Sequence, residues 1–453
     1  MFVNREKEIA RIQQSLEREK PQLIVVYGRR RCGKSTLLHQ VLPSSAIYFS
    51  ADMREAPLQI AAFARQIALI IPGFSTPEYP DWESLFLSLD NGLREKTIVC
   101  IDEFPYLVKN SPELPSILQK IIDNQKHRQY HLILCGSSQQ MMHSMVLDSA
   151  SPLYGRCDEI IRIRPMRIMH LQDYFSISST DAVWEYGVWG GIPRYWEIRK
   201  QYDTFAQAVK NSILDQNGLL YEEPERLFLD EMRTSVQAYS VLSLIGAGVH
   251  RLSEIAARSG KPATQLSRIL GLLINLGFIR REVPFGEPER SSKKSLYKID
   301  DPFLHFYFTF LLPNRSRLEF DMIDQVWTEI EANYTHYLSM IWEDLCRKAI
   351  PSLEIEGKRF NPASRWWGGG IHKQAMEIDI LALSTDKKAL LIGEAKWSNK
   401  DLLGEAVESL CLKEKNIPFS KPPKIIKAVF QKAPASHPDV FVFTPDDIVS
   451  PSH

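Results

Sequence analysis

One eight-residue run constrains the fold of this chain more than any other feature. Gly28-Arg-Arg-Arg-Cys32-Gly33-Lys34-Ser35 has the spacing G-x-x-x-x-G-K-[ST], directly after the apolar run Leu23 to Tyr27 and directly before the helical pattern Thr36 to Val41. Strand, glycine loop and helix in that order make a cradle for phosphate. The glycines let backbone N–H groups close around phosphate oxygens, and the helix N-terminus adds partial positive charge. In such a cradle Lys34 reaches the β- and γ-phosphates of ATP and the Ser35 hydroxyl ligates Mg²⁺, with Gly28, Cys32, Gly33 and Thr36 as further contacts to the nucleotide.

The second half of such a site is a carboxylate at the end of a neighbouring buried strand, and Thr97-Ile-Val-Cys-Ile-Asp102-Glu103 supplies it. Asp102 is expected in the Mg²⁺ shell, and Glu103, one residue on, is placed to polarise an attacking water. A plain exit from strand to loop is the alternative for this pair. Leu132-Ile-Leu-Cys-Gly136-Ser137-Ser138 ends another buried strand, where the Ser137 hydroxyl could sense the γ-phosphate or belong to an ordinary Gly-Ser turn. Arg156, in Pro152-Leu-Tyr-Gly-Arg, suits an arginine finger or sensor, and equally a surface ion pair.

At 453 residues the chain is about three times a usual domain length, so several domains are expected. Apolar runs at Leu23 to Tyr27, Ile47 to Phe49, Ile98 to Ile101 and Leu132 to Cys135, separated by crossover-length segments, predict an open parallel sheet with helices on both faces. From Leu171 to Asp230 amphipathic patterns replace strands, broken at Gly190-Gly-Ile-Pro193, which predicts a helical lid. Arg251 to Lys298 reads as helix, turn, helix and β-wing, Pro313 to Phe320 as a linker, and a further domain begins near residue 320. The expected organisation is a multidomain α/β protein with a P-loop sheet over 1–170, a lid over 171–230, a winged helix-turn-helix over 231–312 and a C-terminal α/β domain over 320–453.

Lys and Arg number 55, as do Asp and Glu, so any basic surface must be local. Arg251 to Lys298 is such a place, with ten basic and four acidic residues. The pattern Pro262 to Gly277 puts Leu266, Ile269, Leu270, Leu273 and Ile274 on one helical face and Thr264, Gln265, Ser267 and Arg268 on the other, as a DNA recognition helix would. The same element can instead serve as an internal moving part. Six cysteines without CxxC spacing, an N-terminus without an apolar leader and the lack of any long apolar run predict a cytoplasmic protein with no membrane span.

Taken together, Asn4-Arg5-Glu6, Gly28 to Ser35, Asp102-Glu103, Gly136-Ser137-Ser138, Pro152 to Arg156 and Gly190 to Pro193 resemble the archaeal-type ATPases of the STAND/AAA+ group. The resemblance covers roughly residues 1 to 230 and continues into the winged helix. It implies ATP and Mg²⁺ as cofactors, places Arg5 near the adenine and puts Pro193 in the lid.

The C-terminal pattern Glu377-Ile-Asp379, followed by Glu394-Ala-Lys396, is similar to the PD-(D/E)xK nuclease core, although the proline of that motif is absent. Asp379 and Glu394 would offer hard oxygen ligands to Mg²⁺, and Lys396 would orient water or steady phosphate charge. A four-residue hairpin loop, Thr385 to Lys388, sets Asp379 opposite Glu394 and Glu377 opposite Lys396; a five-residue loop puts them on different faces. The resemblance adds Glu343, on the preceding helix, as a fourth site residue, and an aromatic pair at Trp366-Trp367. It implies an ATPase gating a nuclease-like domain on DNA. The alternative is a nucleotide-dependent switch that binds a protein partner through an inactive nuclease-like domain; a homo-oligomer is compatible with either.

Overall fold

The structure, a computed structural model, describes residues 4–124, 128–232, 234–420, 422 and 424–450. The chain divides into two compact units. The first runs to Pro165 and takes in the short segment from Leu229; the second holds Met166–Phe228 and the chain from Thr234 onward.

The first unit is built on five parallel strands: β1 (Leu23–Gly28), β2 (Ile47–Ser50), β3 (Thr97–Asp102), β4 (Tyr130–Gly136) and β5 (Glu159–Ile163). Their order is β2-β3-β4-β1-β5. Every residue of β1 and β4 is buried, which is why those strands are continuous apolar runs. One expectation is corrected by this order: the Asp102 strand is not adjacent to β1, because β4 lies between them. That insertion brings Ser137, just past the end of β4, against Glu103. Strand β5 was not anticipated, since Glu159-Ile-Ile-Arg-Ile carries charge on an edge. It packs so tightly on β1 that a Cβ at Gly28 would lie 2.2 Å from the Ile163 carbonyl oxygen. On one face of the sheet Phe63, Trp82, Phe86 and Leu118 pack against Leu23, Val25, Val99 and Leu132. Truncating a buried aromatic such as Phe86 to alanine costs roughly 3–5 kcal/mol, so this layer fixes the sheet that presents the site.

The second unit begins with helices, among them Ile168–Phe175, Ser179–Trp189 and Pro193–Arg199. The Gly190-Gly191 break exists because the chain there touches backbone: the Met166 amide donates to the Gly191 carbonyl at 2.7 Å, and a Cβ on Gly191 would meet the Met166 oxygen at 2.1 Å. The winged helix follows as helices Ser235–Gly246, Leu252–Ser259 and Ala263–Leu276 and an antiparallel wing of β6 (Ile279–Glu282) and β7 (Leu296–Ile299). Gly260 and Gly277 end two of these helices with φ of 65° and 79°, a left-handed conformation that side chains disfavour. Leu266, Ile269, Leu270 and Leu273 are buried, while Thr264, Gln265, Ser267 and Arg268 are exposed. The segment expected as a linker is instead helical at Leu312–Asn314 and Arg315–Leu318, held because Arg315 pairs with Glu225 and Arg317 with Glu329.

A 27-residue helix, Ile323–Ala349, leads into the C-terminal module. After a short ribbon of β8 (Glu354–Ile355) and β9 (Lys358–Arg359) comes a five-stranded sheet of β10 (Ser364–Gly369), β11 (Ala375–Leu383), β12 (Ala389–Lys396), β13 (Lys424–Gln431) and β14 (Phe441–Phe443), in that order. Pairing is antiparallel through β12 and parallel beyond it, with helix Leu403–Asn416 as the crossover a parallel pair requires. Among the described residues no helix is long and apolar enough to cross a membrane.

Candidate active site

The phosphate loop leaves β1 at Gly28 and enters helix Lys34–Val41 through two left-handed residues, Arg31 (φ 68°) and Gly33 (φ 84°). Lys34 is 5% exposed, and its ammonium donates to the carbonyls of Gly28 at 3.0 Å and Arg29 at 3.1 Å. The lysine is thereby anchored over the mouth of the loop. Behind it Arg5, also buried, donates to the carbonyls of Cys32 at 3.3 Å and Arg164 at 2.7 Å and pairs with Glu8. Arg5 therefore braces the outer turn of the loop.

Ser35, on the first turn of the helix beside Thr36, donates through Oγ to Asp102 Oδ2 at 2.7 Å. Tyr48, from β2, donates to the same oxygen at 2.6 Å, and the Glu103 amide reaches Asp102 Oδ1 at 2.9 Å. Burial pushes the Asp102 carboxyl up, but the donors Ser35, Tyr48, Cys135 and the Glu103 amide outweigh it and hold the group below its ordinary value. Asp102 is thus a carboxylate, and it faces a hydroxyl. Tyr48 is a member of this site that sequence reasoning missed; its hint was that the run Ile47 to Phe49 pairs with the Asp102 strand.

Glu103 adopts φ 53°, ψ 39°, a left-handed conformation that costs a non-glycine residue on the order of 1–2 kcal/mol. The turn swings the chain from β3 into helix Phe104–Asn110 and aims the carboxylate at β4, where Ser137 Oγ donates to Glu103 Oε2 at 2.7 Å. Gly136 makes room, since a Cβ there would stand 2.6 Å from Pro105. A second residue missed from sequence is Glu231, in the segment that returns to the first unit. Its carboxylate accepts from the Gln139 amide at 2.9 Å, capping helix Gln139–Leu147, which directly follows Ser137-Ser138. Burial raises Glu231 to about 7, against the pull of the Gln139 amide and of Lys34 and Arg29.

Within one chain Arg156 does not reach this site and takes the ion pair that was the alternative reading for it. Its guanidinium forks onto Asp123 with two contacts of 2.8 Å, and the Asp158 amide two residues on bonds to Leu23, at the start of β1. The phosphate loop is at the other end of that strand, roughly 17 Å away at about 3.3 Å per residue. Pro193 is the first residue of helix Pro193–Arg199, in the second unit.

In the C-terminal module the hairpin loop has four residues, and the register Ile380↔Gly393 to Leu383↔Leu390 has the offset that sets Asp379 toward Glu394. Asp379 Oδ2 accepts the Ala395 amide at 3.1 Å, and its carbonyl accepts from Arg347 at 2.9 Å. Glu343, on the long helix, is raised to about 7 by burial and then by the Asp379 charge, with Arg347 opposing. Glu394 is buried, yet held below its ordinary value because Lys413 and Lys396 outweigh the burial. Burial depresses Lys396, but Glu394, Asp379 and Glu343 together raise it. The four residues therefore share one charged neighbourhood. They do not form the expected metal centre as they stand: Glu394 accepts from Lys396, Lys413 and Ser409, and no group of three potential ligands lies together among the described residues. Glu377 is drawn off by an ion pair with Arg365.

A parallel sheet presenting Lys34, Ser35, Asp102 and Glu103 along one edge defines a P-loop ATPase domain, and residues 2–197 match the family described as an ATPase domain predominantly from Archaea. Residues 238–283 match the IclR helix-turn-helix domain, and 307–410 a family of archaeal and bacterial proteins of unknown function. The chain belongs to the same family as uncharacterized protein MJECL04 of Methanocaldococcus jannaschii, with which it is 35% identical over 423 residues, 90% of each chain. Among solved structures, the Walker-type ATPase PABY2304 of Pyrococcus abyssi shares the fold, with a TM-score of 0.53 and 22% identity over 68% of this chain and 96% of that one. The ORC2 protein of Aeropyrum pernix aligns with a TM-score of 0.44 at 12% identity over 72% and 95%.

Proposed function

We propose that this protein hydrolyses ATP with Mg²⁺ and uses the nucleotide cycle to work its winged helix and C-terminal module on DNA. The observation that carries the hydrolytic part is the pairing of Ser137 with Glu103 beside the Ser35–Asp102 pair. Ser35 and Asp102 fit Mg²⁺: both are oxygen donors, one is a buried carboxylate held in its charged form, and they lie 2.7 Å apart. When bound, the ion neutralises charge on the β- and γ-phosphates. Lys34 holds the same phosphates from the loop side. Glu103 accepts a hydrogen bond from the attacking water, and Ser137 fixes the direction of its carboxylate. Arg5 keeps the loop wall in place on the side assigned to the adenine.

The DNA part is supported by the match of 238–283 to a helix-turn-helix family and by the exposed Thr264, Gln265, Ser267 and Arg268. Six cysteines free of disulfides suit a cytoplasmic setting. For the C-terminal module, the gathering of Glu343, Asp379, Glu394 and Lys396 supports a nuclease-like descent. A second reading, a switch that binds a protein partner and cuts nothing, is favoured by the two lysines that clamp Glu394. Phosphate release with and without Mg²⁺, paired with cleavage of single-stranded, duplex and branched DNA, tests both. Undiminished ATP turnover by Lys34→Ala would sink the ATPase assignment.

A further inference from the structure

Within the second unit, a cleft of about 720 Å³ lies between the wing and the C-terminal module, and six of its lining side chains are basic against three acidic. Two of the three acids are committed to part of that charge, and the third, Glu289, is exposed. Asp344 pairs with both Arg280 and Arg347, and Glu282 with Arg280 and Lys298. The surplus falls on Arg281, Arg290 and Arg365. Arg290 is exposed and has no ion pair or side-chain hydrogen bond among the described residues. Arg281 directs its terminal nitrogens at the carbonyls of Glu289 and Ser292, and Arg365 pairs with Glu377, yet the Nε–H of each is buried without an acceptor. Buried N–H groups in folded proteins nearly always find an acceptor; these two lie behind a cleft wall that also holds Glu282 Oε2, buried without a hydrogen bond, and it is the excess of cations over acids along that wall that suits an oxygen-rich ligand.

We propose that this cleft binds a phosphate ester of one or two nucleotides' size. Guanidinium groups fork onto phosphate oxygens, and the volume lies within the range of small-molecule sites. The wall is also stiff. Arg280 ties β6 to Asp300 and to Asp344 on the 323–349 helix, so the cations are presented without further ordering. A ligand seated here touches the wing and the helix that carries Glu343 together. The proposal goes beyond the ATPase reading and depends on neither hydrolysis nor cleavage. The phosphate ester can arrive as a free nucleotide or as the backbone of a nucleic acid strand.

The test uses the full chain with the phosphate loop saturated by ADP and Mg²⁺. A 5′-phosphorylated thymidine dinucleotide and a fluorescent single-stranded 20-mer are titrated against wild type, Arg290→Glu, Arg290→Lys and Arg281→Gln. At least tenfold weaker dinucleotide binding by Arg290→Glu and Arg281→Gln, with Arg290→Lys close to wild type, supports the proposal with a free nucleotide as the source. The same losses seen only with the 20-mer support it with a strand as the source. Because Arg290 is exposed and unpaired, its thermal midpoint should not move; should Arg281→Gln unfold, Arg290→Glu alone decides. No binding of either probe by wild type, or equal binding by Arg290→Glu and wild type, overturns it.

Discussion

The Ser137 hydroxyl and amide both donate to one oxygen of Glu103, at 2.7 and 3.2 Å. A carboxylate held this way keeps its second oxygen for water, so Ser137 acts on catalysis through Glu103. Glu103→Gln should leave nucleotide affinity near wild type and lower turnover by about 10²–10⁴-fold, the usual worth of a general base. Ser137→Ala should lower turnover less, by about tenfold, because it frees the carboxylate without removing it. Lys34→Ala should instead lose nucleotide affinity. Phosphate release and equilibrium nucleotide titration separate these outcomes, and equal turnover in Glu103→Gln and wild type would remove Glu103 from the mechanism.

Stability should carry a pH signature from Glu231. Its folded pKa, raised to about 7, lies above its ordinary value of 4.5, so the folded state binds more protons than the unfolded one between those values. Stability from this group is then complete below the lower value and falls as pH rises toward 7, by roughly 3 kcal/mol at most. Glu343 contributes a slope of the same sign, being also raised to about 7. Glu231→Gln should flatten the dependence and gain relative to wild type at pH 8. Denaturant midpoints from pH 4.5 to 8 measure it; an unchanged slope would show that Glu231 does not titrate in this window.

The parts of the site legible in the sequence are those that lie next to one another in it. Gly28 to Ser35 and Asp102-Glu103 declare themselves because the loop and the strand end are local. Tyr48 and Glu231 were not legible, since each meets its partner across more than fifty residues and depends on strand order. Arg156 was left between two readings for a related reason: a motif gives its residue types but not which edge of the sheet carries them. The hairpin of β11 and β12 was legible as an element but not in its register: a four- and a five-residue loop were both open, and only the observed pairing selects the first. Lys413, which comes from the crossover helix to hold Glu394, was not legible.

If the winged helix binds DNA, affinity should fall steeply with salt, with log affinity linear in log salt at about −0.9 per phosphate contact. Arg268 and Lys293 are exposed, whereas Lys294 is paired with Glu287 at 2.8 Å. Neutralising Arg268 and Lys293 should therefore weaken binding and shallow the salt slope by about 2, and Lys294→Ala should matter less. Fluorescence anisotropy from 50 to 300 mM salt makes the comparison. Affinity indifferent to salt would recast the element as an internal lever.

The last prediction concerns Glu394, whose carboxylate is held by Lys396 at 2.8 Å, by Lys413 and by Ser409 at 2.9 Å. Because the group is buried, removing one lysine leaves charge short of its partner, which costs roughly 3–5 kcal/mol when a buried pair is broken. Lys413→Met should therefore lower the thermal midpoint clearly, while Lys427→Met, on a neighbouring strand, should not, since Lys427 faces Glu414 instead. The chemistry divides along another line. Asp379 has one oxygen on the Ala395 amide and none on a lysine, so it is the carboxylate with most freedom to take a metal. Asp379→Ala should abolish any metal-dependent DNA cleavage by the full chain and leave ATP hydrolysis unchanged. Cleavage that survives Asp379→Ala would place the chemistry elsewhere, and a wild type that cuts no DNA, with or without ATP, would assign the module to the switch.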